Sequence, residues 1–96
     1  MDFGIHYTKS AVADLGSIRD WSLAKHPATT PSFLESVLEH VDQLGAFPYT
    51  GEQSNRRSNT RILHHSPFLI YYRIRPKLQR IDILHVWHGR RRSPYS

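Results

Sequence analysis

The hydrophobic and polar positions change their period along the chain, and each change marks an element. Phe3, Ile5 and Tyr7 alternate with Gly4, His6 and Thr8, the period-2 pattern of a half-buried strand. Thr8 or Ser10 then caps a helix whose apolar positions Ala11, Leu15, Ile18 and Trp21 share one face, with Asp14 and Asp20 mostly off it. Two prolines in the segment His26–Pro31 interrupt that helix. Thr30 as N-cap and Pro31 at the first helical position restart it. Leu34, Val37, Leu38, Val41 and Leu44 carry an apolar stripe to Gly45, which ends the helix.

Beyond Gly45 the period returns to two. Phe47–Gly51 reads as a turn and Glu52–Asn59 as a polar surface loop. Three strands follow: Arg61–His65, Phe68–Arg75 and Arg80–His88. Phe68, Ile70, Tyr72 and Ile74 share a face of the second. Strict alternation along the third sets Ile81, Ile83, His85 and Trp87 opposite Asp82, Leu84, Val86 and His88. Because both of those sets contain apolar residues, the last strand is expected to be central and covered on both sides near its middle. Short links at Ser66-Pro67 and Pro76–Gln79 predict an antiparallel meander. The chain is therefore expected to be one α+β domain over residues 1–96. Its order is β-α-α-β-β-β, with a helical hairpin packed on one face of a mainly antiparallel sheet.

Composition narrows the chemistry. The 96 residues suffice for one hydrophobic core, and the absence of cysteine excludes disulfides and thiolate metal sites. That fits a reducing cytoplasm. Met1–Gly4 lacks the regions of a signal peptide, and no apolar run approaches the roughly 20 residues needed to cross a bilayer. Both point to a soluble, cytoplasmic protein without membrane contact.

The net charge of +5 conceals an asymmetry. Residues 1–48 carry three basic and six acidic side chains, while residues 49–96 carry ten basic and two acidic ones. Nine of those ten are arginine, whose planar fork suits phosphate and carboxylate. Such a half predicts a nucleic-acid or acidic-protein partner. The charge is densest where the last strand runs out through His88-Gly89 into Arg90, Arg91 and Arg92.

The ordered set of motifs resembles the RelE/ParE superfamily of toxins from bacterial type II toxin–antitoxin systems. It comprises Ala13-Asp14-Leu15 with Ile18, then Leu44-Gly45-Ala46-Phe47-Pro48 with Gly51, then Arg61-Ile62-Leu63. Pro67-Phe68-Leu69-Ile70-Tyr71-Tyr72-Arg73-Ile74 and Ile81–Arg91 complete it, so the likeness spans residues 3–92. The resemblance implies a growth-inhibiting toxin, held in a hetero-oligomer by a cognate antitoxin and needing no cofactor. ParE-like members block DNA gyrase, whereas RelE-like members are ribosome-dependent mRNA endonucleases. In the RelE-like pattern Arg61 matches the first cation of the meander. Leu63 and Leu69 stand where two further cations belong, Arg90 matches the arginine after the last strand, and Tyr95 lies beside the tyrosine position. Tyr71-Tyr72-Arg73 and His88-Gly89-Arg90-Arg91 are closer to the ParE-like branch, which makes gyrase inhibition the first expectation.

For a nuclease, metal-free RNA cleavage needs a base, an acid and cations for the phosphorane. Arg61, Arg73, His88, Arg90 and Tyr95 are the candidates for those tasks. For a binder, the target- or antitoxin-facing residues are Arg61, Arg73, Arg75, His88, Arg90, Arg91 and Arg92. The loop arginines Arg56 and Arg57 are phosphate-contact candidates of lower rank. His85 shares its face with Ile83 and Trp87 and reads as a packed, hydrogen-bonded histidine, and Tyr72 and Trp87 read as core aromatics. No pair among the seven histidines combines helical i, i+4 spacing with a carboxylate partner, so no metal site is expected.

Overall fold

A computed structural model describes residues 2–54 and 59–89. Two helices cover one face of a five-stranded mixed sheet. The elements are β1 (Gly4–Tyr7), α1 (Lys9–Lys25), α2 (Thr30–Asp42), β2 (Glu52–Gln53), β3 (Thr60–His65), β4 (Phe68–Arg75) and β5 (Arg80–His88). Their spatial order is β1-β5-β4-β3-β2. β1 runs parallel to β5, and the remaining pairs are antiparallel. The predicted α+β architecture is therefore present. It gains the two-residue strand β2 inside what the polar composition predicts as loop.

Local chemistry places the helices. Thr8 is the N-cap of α1: its hydroxyl accepts from Ala11 N at 3.2 Å and donates to Ile83 O at 2.8 Å. One side chain thus starts the helix and ties it to β5. α2 begins one residue earlier than predicted, at Thr30, with Thr29 as a cap that makes no side-chain bond. Thr30 is instead buried, its Oγ1 at 2.7 Å from Ser22 Oγ and donating to His26 O at 2.9 Å, and this clasps the helical hairpin at its turn. The stripe on α2 buries Val37, Val41 and, in the following 3-10 turn, Leu44, while Leu38 stays exposed.

Phe68, Ile70, Tyr72 and Ile74 of β4 all face the helices, as their alternation predicts. On β5 strict alternation fails. The pairing skips Leu84 between Ile83↔Tyr72 and His85↔Tyr71, so a bulge reverses the phase. Ile81, Ile83, Val86 and His88 consequently share the helix face, while Asp82, His85 and Trp87 share the far face. Trp87, expected in the core, is half-buried on the far face, whereas Tyr72 is sealed inside. β5 is flanked by β1 and β4, as its two apolar sides require. Tyr72 donates its hydroxyl to Pro48 O at 2.7 Å and accepts from Gly51 N at 2.9 Å. Any Cβ at Gly51 would lie 2.7 Å from that hydroxyl, so glycine permits the contact.

Candidate functional site

The far face at the Arg75 end of the sheet concentrates charge around one carboxylate. Asp82 is only 5% exposed and accepts from Arg75 Nε at 3.1 Å and Arg80 Nε at 2.8 Å. Arg75 and Arg80 are themselves cross-strand partners, and the carboxylate between them offsets their repulsion. Arg73 lies directly across from Asp82, yet neither Asp82 oxygen bonds to it. Its Nε and the Oγ1 of its other cross-strand neighbour, Thr60, are buried without a hydrogen-bond partner. A groove of about 700 Å³ at this end is lined by Asn59, Arg73, Arg75 and Lys77, with no carboxylate among its described lining residues.

Arg61 neighbours this cluster but belongs to the other face, opposite Tyr72 in register. Its Nη1 donates to Gly51 O at 2.7 Å and its guanidinium lies 5.0 Å from the Tyr49 ring centre. Much of its bonding capacity thus goes to holding the 47–51 turn. Burial raises the Tyr72 hydroxyl above the usual phenol range, so it remains a donor at neutral pH.

His88 sits at the opposite end of the sheet and on the helix face, edge-on to Phe68 at 5.6 Å. Its partner Phe68 is five residue steps from Arg73 on β4, about 17 Å along the strand. Of the predicted residues, Arg73 and Arg75 are brought together. Arg61 is near them but on the other face, and His88 is remote from all three. Arg56, Arg57, Arg90, Arg91, Arg92 and Tyr95 lie outside the described residues.

Two features at the His88 end escape the sequence reading. Asp14 Oδ2 accepts from Val86 N at 3.1 Å and lies 3.3 Å from His85 Nδ1. β1 stops opposite Ile83, so the edge of β5 beyond it needs this side-chain acceptor. The signal was in the spacing: Asp14 is in phase with Ala11, Ile18 and Trp21 at i−3, i+4 and i+7. His85 is indeed packed and hydrogen-bonded, its ring 4.5 Å from that of Trp87.

The second feature is a histidine pair between α2 and β3. His40 Nδ1 and His65 Nδ1 are 2.8 Å apart, and His65 Nε2 is 3.3 Å from Ser36 Oγ. Ser36 uses its own hydrogen on Phe33 O, so His65 Nε2 must donate and its Nδ1 must accept from His40. A second proton on His65 requires His40 to give up its donor tautomer and turn Nδ1 into the acceptor. Burial, and then the His40 charge, hold His65 below the usual imidazole range.

With this fold and these surfaces in place, the comparisons with known proteins are decisive for the family. Residues 5–93 match the family of the ParE toxin of the type II toxin-antitoxin system, parDE. The chain belongs to that family. It is similar in structure to a chain of the chromosomal ParDE toxin–antitoxin system from P. aeruginosa, with 21% identity and a TM-score of 0.77. That alignment covers 90% of this chain and 95% of the other. It is also similar to a chain of the toxin–antitoxin complex RelBE2 from Mycobacterium tuberculosis, with 22% identity and a TM-score of 0.69, covering 92% and 99%. At these identities the two likenesses establish the shared fold. No curated protein sequence matches the chain significantly. Among the described residues no helix is long and apolar enough to cross a membrane, and no cluster of three or more potential metal ligands occurs.

Proposed function

We propose that this type II toxin arrests growth by binding an essential macromolecular target, DNA gyrase, and that a cognate antitoxin neutralises it. One observation carries the choice of binding over cleavage. Of the described cations, Arg75 is paired with the structural carboxylate Asp82 and Arg73 lies across from it, both far from the one candidate acid–base histidine, His88. A nuclease site requires the proton-transfer group and the charge-stabilising cations to converge on one phosphate. Leu63 and Leu69, standing at positions where the RelE-like pattern has cations, support the same reading. Both neighbours come from toxin–antitoxin complexes, which supports an antitoxin partner for this chain. An acidic, partly disordered antitoxin segment fits the groove lined by Arg73, Arg75 and Lys77.

Induction without the antitoxin is expected to stop growth, and purified protein is expected to inhibit supercoiling by gyrase. Unimpaired growth at confirmed expression would refute toxicity. Uninhibited gyrase, together with new mRNA 5′ ends on induction, would transfer the protein to ribosome-dependent mRNA cleavage.

A further inference from the structure

Between α1 and the His88 end of β5 lies a pocket of about 240 Å³, walled by Asp14, Ile18, Trp21, Phe68, Trp87 and His88. It is remote from the arginine groove, at the other end of the sheet. Trp21 is 51% exposed, although the spacing of α1 puts it on the apolar stripe. A large ring kept at a pocket mouth forgoes the stabilisation that burial would bring. Among the described lining residues Asp14 is the single carboxylate, and none is a lysine or an arginine.

The two oxygens of Asp14 are used unequally. Oδ2 serves Val86 N–H and faces His85, while Oδ1 has no hydrogen-bond partner among the described residues. A half-satisfied carboxylate against an apolar wall favours an occupant that brings both a positive charge and donors. Indole and phenyl faces attract the same kind of group through their quadrupoles. A guanidinium meets both demands, because it stacks flat on rings and offers paired N–H donors to one carboxylate. Arginine is also among the residues that anchor protein interfaces from within such pockets.

We propose that this pocket receives an arginine side chain presented by a protein partner, stacked against Trp21 and bonded to Asp14 Oδ1. The site is separate from the arginine groove, and it does not depend on which target the toxin acts upon.

The chain has two tryptophans, and both line the pocket, so indole emission reports directly on it. The full chain is titrated with N-acetyl-arginine amide, and with N-acetyl-norleucine amide as the uncharged counterpart. A saturable emission change is expected with the arginine probe alone, weakened by about 0.5 M NaCl. Asp14→Asn is expected to reduce that affinity about tenfold or more, with unchanged far-UV circular dichroism, since asparagine still accepts from Val86 N–H. An equal response to the norleucine probe, or an unaltered response in Asp14→Asn, would overturn the proposal. So would saturation by guanosine monophosphate with none by the arginine probe, which would mark a nucleobase site. Should Asp14→Asn fail to fold, the norleucine and salt arms on the unmodified chain decide the matter.

Discussion

On the helix side of the sheet, Ile70, Tyr72, Ile81 and Ile83 are shut away from solvent, and the polar atom among them, the Tyr72 hydroxyl, has two partners. On the far side, Asp82 is also buried but carries two arginines, while Arg73 Nε and Thr60 Oγ1 are buried with no partner among the described residues. The contrast separates two jobs within one sheet. A satisfied, apolar face lowers the free energy of the fold, whereas a face with more cations than carboxylates and unmet hydrogen-bonding capacity is disposed towards a charged partner. Substitutions should therefore lose stability on one side and binding on the other.

The largest effect is expected on the helix face. Ile83→Ala removes a fully buried side chain from the middle of β5 and should cost about 2–5 kcal/mol in denaturant unfolding. A loss well below that range would mean that the helix face is not where stability resides. Tyr72→Phe keeps the ring but strands Pro48 O and Gly51 N–H. It should cost about 1–3 kcal/mol, with altered amide-exchange protection at Gly51 as its signature.

On the far face, Asp82→Asn should cost about 1 kcal/mol, because Arg75 and Arg80 are exposed enough to turn towards water. A loss as large as that of Ile83→Ala would erase the distinction between the faces.

The His40–His65 pair gives a smaller, pH-dependent effect at the margin of the helix face. Folding lowers the His65 value below the unfolded 6.5, so above pH 6.5 the imidazole is neutral in both states and contributes no slope. As pH falls below 6.5 the unfolded chain takes up the proton first, so stability falls until the folded value is passed. Melting temperatures across that interval should decline in the parent chain and decline less in His65→Gln; parallel curves would remove the pair as the cause.

The smallest stability change is expected from Arg73→Met, within about 0.5 kcal/mol, because it deletes a buried donor that has no partner. Affinity for the proposed cognate antitoxin should nevertheless drop, measured by calorimetry. Undiminished affinity would take Arg73 out of the interface.

Much of the architecture was legible in the sequence because period and punctuation are local signals. The bounds of β4 and β5 follow from their apolar runs, and α2 from its stripe, although α2 ends at Asp42 and a 3-10 turn carries the chain on to Gly45. The family resemblance was legible as well, because ordered motifs survive in the chain whatever their spatial arrangement. The start of α2 shifted by one residue because Thr30 is used in a tertiary contact with Ser22 rather than as a cap. β2 was hidden because two polar residues carry no period and pair only when β3 lies beside them.

The site was less legible, for a geometric reason. Arg61, Arg73 and His88 read as one set along the chain, but which face and which end of a sheet a residue occupies depends on register. A single bulged residue, Leu84, sends Val86 and His88 to the helix face and His85 and Trp87 away from it, and no periodicity announces it. Asp14 acquires its role only because β1 ends early and leaves Val86 N–H to be satisfied. By itself, then, the sequence determined the elements, their order, the family and the excess of arginine in its second half. Tertiary structure alone decided which arginines share a surface, which carboxylate they surround and which rings meet around Asp14. Those are long-range pairings, selected by burial and hydrogen-bond satisfaction between segments far apart in the chain.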